Sequence, residues 1–328
     1  MALIANTYAS FDAEGEREDL QDMIFDISPT ETPFISGCGR NRAKAITHEW
    51  QTDALTTAVT NNQVLEGDDL VGTAVALGAS VQQGNVCEIA RKIVAVTGTL
   101  EVIDKAGRKS EMAYQLAKAG KEIKRDIESA MLDSHAAVTA AGTATIRVAA
   151  PLMNWIQTNS SRGTGGADST STSGGVPVYA ATDATTTERR ALTEALAKTV
   201  IQALWTAGGE ADTLMAGAFN RQAISSSFSG IATRNFDLSN ASPTAAIASI
   251  DVYVSDFGTF KVIPNRFQRD RELWLLDFDF LSLSFLRPMQ TMKMAKTGDS
   301  DKRILLAEYT LCVKNEGALG VVADLTTA

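Results

Sequence analysis

Residues Ser110 to about Ala137 constrain the fold more than any other stretch of this chain. Met112, Ala113, Leu116, Ala117, Gly120, Ile123, Ile127, Ala130 and Met131 recur at steps of three and four, the pattern of an amphipathic helix. Lys118, Lys121, Lys124, Arg125 and Glu128 fall on the other side, and Ser110 stands where an N-cap belongs. At 1.5 Å per residue the helix would run about 40 Å, long for a globular protein, so other elements must be laid along it. Ala119-Gly120-Lys121-Glu122 ends like a phosphate loop but lacks the earlier glycine and the following Ser/Thr. Gly120 therefore reads as a close-packing position, and the aliphatic stripe as core-facing.

Two projecting segments precede that helix. The first 37 residues carry eight acids and one base, Arg17, and then Ser28-Pro29-Thr30-Glu31-Thr32-Pro33-Phe34 favours extended backbone. Arg40, Arg42 and Lys44 follow as a short basic patch. An acidic arm joined to a basic patch suits pairing between subunits, and Arg17, Glu18, Asp19, Arg40 and Arg42 are the candidate contact residues. From His48-Glu49-Trp50 to Val86-Cys87-Glu88-Ile89 the chain reads as a long two-stranded excursion. Its charges short of Glu88 are all acids, Asp53, Glu66, Asp68 and Asp69, and the last three join the candidate contacts. A ribbon this long with few large side chains cannot bury its own faces, so a neighbouring subunit is the expected support.

After the helix, 13 of the 16 residues from Ser160 to Gly175 are Gly, Ser or Thr, which predicts a flexible loop. Thr187 to Ala207 is again helical, with Leu192, Leu196, Val200, Ile201 and Leu204 on one face. Strand-like runs follow at 251–255, 260–264 and 273–276, then Lys302 to Lys314 and Ala318 to Asp324 around an Asn315-Glu316-Gly317 turn.

Catalytic signatures are poor. His48 and His135 sit in no metal-ligand spacing, and both read as structural. Lys296-Thr297-Gly298 has no SxxK partner, and no GxSxG occurs. Asp277 and Asp279 read as one face of a strand running through Phe280 rather than as a catalytic pair, although a hydrolase built on them is the competing enzyme reading. Neither an enzyme nor any cofactor or metal is expected. Cys38, Cys87 and Cys312 are widely spaced and fit a reducing compartment without disulfides. No signal peptide and no membrane span are expected. The net charge, 30 Lys+Arg against 39 Asp+Glu or −9, argues against tight sequence-independent binding to nucleic acid.

The order of arm, hairpin, long helix, mixed α/β block and terminal strands resembles the Hong Kong 97-type major capsid protein of tailed bacteriophages, an α+β fold. Local strings sharpen the resemblance. They are Arg17-Glu18-Asp19-Leu20 with Ile27 to Phe34, His48-Glu49-Trp50-Gln51, Ala113-Tyr114-Gln115 with Lys124 to Glu128, and Arg190 to Glu194. Ser255-Asp256-Phe257-Gly258, Pro264-Asn265-Arg266-Phe267, Leu286-Arg287-Pro288 and Ala295 to Asp299 complete them. They run from about residue 8 to residue 325, with departures in 56–82 and in the Gly/Ser-rich loop.

The resemblance implies an N-terminal arm at 1–50, an E-loop at 51–92, and a P-domain with its spine helix at 93–154. It further implies an A-domain at 155–290 and return strands of the P-domain at 291–328. It implies a subunit that self-assembles as hexamers and pentamers into an icosahedral shell enclosing double-stranded DNA without gripping it. A separate scaffolding protein, a portal and a decoration protein are the implied partners, with assembly in the bacterial cytoplasm and residence in the virion. An encapsulin-like nanocompartment shell is the alternative within the fold, and a tail or decoration protein is a further one that the spine-helix layout disfavours. Some relatives cross-link through an E-loop lysine; no lysine lies between Lys44 and Lys92 here, so no such bond is expected.

Overall fold

The computed structural model describes residues 26–63, 65–67, 78–139, 142, 144–170, 172–173, 175–228 and 251–327. Arg17, Glu18, Asp19, Asp68 and Asp69 lie outside the described residues. A single turn, α1 (Pro33–Gly37), opens on a proline, which is pre-shaped for a helix start, and leads into β1 (Gly39–Arg42). The hairpin strands β2 (Thr47–Thr52) and β3 (Val81–Val86) come next, then β4 (Glu88–Thr97), α2 (Gly98–Val102) and the long helix α3 (Glu111–Met131). A short turn α4 (Leu152–Trp155) and the two-residue strands β5 (Ser160–Ser161), β6 (Thr172–Ser173) and β7 (Val176–Pro177) follow. Then come α5 (Glu194–Thr206), β8 (Thr213–Ala216) and α6 (Ala218–Ser227). The rest is strand: β9 (Val252–Ser255), β10 (Gly258–Pro264), β11 (Leu273–Leu276), β12 (Leu281–Lys293), β13 (Ser300–Val313) and β14 (Gly320–Val322).

Two sheets organise this mixed α/β chain. One is four-stranded, ordered β1-β12-β13-β4, and the other six-stranded, ordered β5-β14-β11-β8-β10-β9. Helix α3 lies along β4 and β13, and α5 along β14 and β5. Side chains alternate across the six-stranded sheet. Leu214, Ala216, Leu273, Leu275 and Val322 enter the core beneath α5 and α6, while Met215, Trp274, Leu276 and Val321 enter the core shared with α3. One sheet therefore separates two hydrophobic cores and belongs to both.

The hairpin pairs where the sequence places it, from Thr47↔Val86 to Thr52↔Val81, and 53–63 continues without strand structure. Ser110 caps α3 by accepting from the Ala113 N–H. The helix stops at Met131, short of Ala137, so it runs about 31 Å. Tertiary hydrogen bonds take over there: Val138 pairs with Val148, and the Asn154 amide donates to the His135 carbonyl at 2.9 Å. Ala113 and Ala117 are exposed, and the buried stripe is Met112, Ala119, Ile123, Ile127 and Met131. Gly120 is not close-packed, since a Cβ built there meets nothing within 4 Å. Glu128, expected on the polar side, is fully buried.

Three further expectations change. Helix α5 buries the expected face but starts at Glu194, because Arg190 just upstream is drawn into backbone bonding with Asp324 and Thr326. The strand through Asp277 and Asp279 ends at Leu276: the Asp277 carboxylate accepts from the Asp279 N–H at 2.9 Å and starts a 3-10 turn, Phe278–Phe280. The Gly/Ser-rich stretch is anchored at both of its ends. Ser160 and Ser161 pair with Val321 and Val322, Arg162 pairs with Asp168, and the Asp324 carboxylate accepts from the Gly163 N–H at 3.1 Å and the Ala184 N–H at 2.9 Å. Glycine was read there as slack, but Gly175 (φ +81°) lies so near β3 that a Cβ would stand 2.6 Å from the Gln82 carbonyl oxygen. The Asn315 turn is present, with its side chain accepting from the Gly317 N–H at 3.0 Å; it carries the chain from β13 in one sheet to β14 in the other.

Candidate subunit-contact surfaces

Local sequence decides how the hairpin is held. Asn85, fully buried, uses all four of its hydrogen-bonding positions. Its amide donates to the carbonyls of Leu311 (2.8 Å) and Ala150 (3.1 Å), and its oxygen accepts from the N–H groups of Ala150 and Val86, both at 2.8 Å. Trp50 on the opposite strand stacks on Trp155 with ring centroids 5.2 Å apart. The Gly84 N–H donates to the Gly175 carbonyl at 3.2 Å. Beyond this firm base the excursion is bare. Leu55 is 100% exposed, Leu65 80% and Val59 72%.

The segment before β1 is held by Glu128. Its carboxylate accepts from the N–H groups of Phe34 and Ile35, both at 2.8 Å, and from the Asn265 amide at 2.7 Å. Burial pushes this carboxyl above its usual range, against the pull of those three donors. Phe34 is itself buried, and Arg125 donates to the Pro29 carbonyl at 3.4 Å. One carboxylate thus ties the arm, the long helix and the segment after β10. The sequence reading missed it, although Glu128 lies three and four residues before the buried Met131 and Leu132 and so on their face.

The charged candidates are not brought together. Arg40 and Arg42 lie exposed on β1, an edge strand of the four-stranded sheet, where β1 runs parallel to Ser282–Phe285. Glu66 is exposed on the excursion. Among the described residues none of the three makes an ion pair. The outer face of β4 exposes Ile89 and Ile93, and Met292 is exposed across the sheet beside Ile304. An apolar stripe on a sheet whose edge strand is unpaired calls for a cover.

Elsewhere the chemistry is that of a scaffold. His48 lies beside Trp50 with burial holding its pKa down, and the His135 ring contacts the Ala149 carbonyl at 3.2 Å. Burial raises the Asp277 carboxyl, whose partner is its own turn. No group of three or more His, Cys, Asp or Glu side chains is placed to hold a metal among the described residues, and no described helix is long and apolar enough to cross a membrane. A half-buried charge cluster around the buried Glu272 joins Asp183, Arg269 and Arg271. Arg269 meets Glu272 at 3.0 Å, Arg271 meets Asp183 at 3.0 Å, and burial pushes Glu272 up to about 8. These groups sit where the long helix, the Gly/Ser-rich stretch and the six-stranded sheet converge, and they serve packing.

Residues 4–326 match the family model described as SU10 major capsid protein. The major capsid protein of Escherichia phage Phieco32 is 36% identical over 129 residues, 39% of this chain and 36% of that relative, so the match spans about a third of the relative's length. The capsid asymmetric unit of Cyanophage A-1(L) aligns over 97% of this chain and 99% of its own, with TM-score 0.63 and 14% identity. A structure of phage G major capsid proteins and decoration proteins aligns over 99% and 100%, with TM-score 0.55 and 8% identity. At such identities the two structures establish a shared fold.

Proposed function

The chain belongs to the SU10 major capsid protein family, and from that premise we propose that it assembles with copies of itself, as hexamers and pentamers, into the icosahedral head shell of a tailed phage, closed around double-stranded DNA. A member of this family is a structural component of the virion and not an enzyme, and the family favours a phage shell over an encapsulin-like compartment.

The observation that carries the reading is firm anchorage joined to unsupported reach. Asn85 and the Trp50–Trp155 stack fix the hairpin base, while Leu55, Val59 and Leu65 beyond it have no cover among the described residues. Apolar side chains on a marginal ribbon gain stability only against another surface. A second copy would supply one at every position of a closed shell.

On this reading residues 1–50 form the arm, 51–92 the E-loop, 93–154 the P-domain with α3 as its spine, 155–290 the A-domain, and 291–328 the return strands. The chain passes from the six-stranded to the four-stranded sheet between β11 and β12, inside the 155–290 unit, and returns to the six-stranded sheet at β14. Arg40 and Arg42 on the open edge β1 are suited to meet Glu66, Asp68 and Asp69 of a neighbour's excursion. Arg17, Glu18 and Asp19 of the arm are expected at such contacts too. A net charge of −9 keeps the enclosed DNA from adhering to the wall. A separate scaffolding protein and a portal complete assembly in the bacterial cytoplasm, and a decoration protein can bind afterwards.

The test is electron microscopy of the protein expressed with and without the neighbouring scaffolding gene. Closed shells with the scaffold are expected. Only monomers or dimers under both conditions would sink the proposal.

A further inference from the structure

The exposed side of the long helix carries a stripe that nothing described covers. Lys118, Lys121 and Arg125 follow one another at steps of three and four, so they lie on one face, with Lys124 beside them and Glu128 next in the same row. Lys118, Lys121 and Lys124 are exposed and make no ion pair among the described residues.

The chain's own N-terminal side tracks this row. Phe34 and Ile35 bond to Glu128, and the Pro29 carbonyl receives Arg125. At Asp26, where the described chain begins, hydrogen bonds from Ser28 hold the carboxyl below its usual value, and attraction from Lys121 and Lys118 adds to them. Going back from residue 35 to residue 26, the partners on the helix go back from 128 to 118. Upstream of that point come Asp22, Asp19, Glu18, Glu16, Glu14 and Asp12, interrupted by a single base, Arg17. This strongly acidic segment therefore precedes a described stretch, 26–35, that already runs along the basic row, and Lys118, Lys121 and Lys124 are without an ion-pair partner among the described residues.

We propose that residues 12–22 dock on the Lys118–Lys121–Lys124 stripe of the same subunit's long helix. The arm would thereby be laid along its own helix before any neighbour is met, and Glu18 and Asp19 would pair within the subunit. Exposed pairs of this kind are individually weak and screened by salt, so the docking is reversible. The inference stands apart from the shell reading, because it concerns contacts inside one chain.

The full-length protein is prepared as an equal mixture of light and heavy isotope-labelled chains, before and after assembly. It is treated with a zero-length carboxyl–amine cross-linker and digested for mass spectrometry. The Lys92–Asp126 pair, 2.7 Å apart, serves as the internal control. Links from Asp or Glu of 12–22 to Lys118, Lys121 or Lys124 are expected, joining peptides of one label only. Mixed-label pairs would move the arm onto a neighbour and overturn the proposal, as would absence of arm links where the control link forms.

Trypsin cleavage after Arg17 gives a second readout. Lys118→Glu with Lys121→Glu should raise that rate roughly fivefold relative to cuts elsewhere, as should molar salt on the unaltered protein. Glu18→Lys with Asp19→Lys in that variant should restore docking, read as arm-to-helix links with the same cross-linker, since the added lysines are themselves trypsin sites. An unchanged rate overturns the proposal. If the helix variant instead loses only DNA co-purified with the particle, the stripe serves phosphates and not the arm.

Discussion

Replacing Glu128 by glutamine is the sharpest test of how the arm is anchored. The carboxylate receives three donors on two oxygens: Phe34 N–H and the Asn265 amide on Oε1, Ile35 N–H on Oε2. Glutamine keeps one oxygen and places an NH2 where the other stood, so one buried donor faces another donor. A stranded buried donor costs about 1–3 kcal/mol, and the remaining bonds lose their charge assistance. Removal of a desolvated charge works the other way, because burial already holds Glu128 above its ordinary pKa. The net expectation is a loss of about 2 kcal/mol concentrated on the arm. At 1.4 kcal/mol per decade that is about a 30-fold faster amide exchange at Phe34 and Ile35.

The pH dependence carries a definite sign. A carboxyl whose folded pKa is raised binds its proton more tightly in the native state. Its contribution is complete below the unfolded value near 4.5 and is lost as pH rises through the higher folded value. The Glu128 contribution to the stability of the whole subunit should therefore decline from acid toward neutral pH, and Glu128→Gln should flatten that decline in denaturant unfolding. Hydrogen exchange read by mass spectrometry on peptides covering 30–38 measures the loosening of the arm in the variant. Unchanged exchange in the variant, or loosening spread evenly over both cores, would refute the claim that Glu128 clamps the arm.

Further outcomes follow from the same structure. Glu272, pushed up to about 8 by burial, with Arg269 and Arg162 opposing the shift and Asp183 and Asp133 adding to it, contributes stability that is lost as pH rises through about 8. Melting temperature should fall between about pH 6 and pH 8.5, and fall less in Glu272→Gln; parallel curves would count against this. Asn85→Leu strands two donors and two acceptors at the hairpin base and should cost about 3–5 kcal/mol in denaturant unfolding, and a loss under about 1 would contradict the clamp. Gly120→Ala, with open space around it, should stabilise the isolated subunit by about 0.8–1 kcal/mol. Failure of that variant to assemble would mean that a neighbour approaches the helix at this point. Denaturing gels of mature particles should show no covalent ladder mapping to 51–91, which contains no lysine.

Periodic elements were legible because their signal is local. The existence of α3 and most of its buried stripe, the buried face of α5 and the positions of β9, β10 and β11 follow from local pattern alone. Features set by distant partners were not. Glu128 looked like a solvated charge because its donors come from residues 34, 35 and 265. The Gly/Ser-rich stretch looked slack because composition cannot show that Asp324, more than 150 residues later, receives the Gly163 N–H. Asp277 and Asp279 kept the alternation of a strand while a side-chain cap bent the backbone into a turn. Of the candidate contact residues, Arg40, Arg42 and Glu66 could be located on exposed surface, but sequence holds no information on which copies meet.

A common device runs through the anchored segments. Glu128 holds the arm, Asn85 the hairpin base and Asp324 the Gly/Ser-rich stretch; each is a buried polar side chain bonded to backbone, Glu128 and Asp324 to that of the segment they fix and Asn85, from within the hairpin, to that of Ala150 and Leu311. Phe34 and Trp50 add apolar contact at two of these roots, but burial of area alone does not fix their position, since its energy scales with apolar surface and has no direction. Hydrogen bonds to backbone in a water-excluded site do have direction, and a slip of one residue leaves a buried donor or acceptor unpaired. Register at the base is thereby specified. On the proposed assembly into pentamers and hexamers such anchoring would let two cores sharing one sheet remain constant, with adaptation confined to segments whose roots are fixed by single polar side chains.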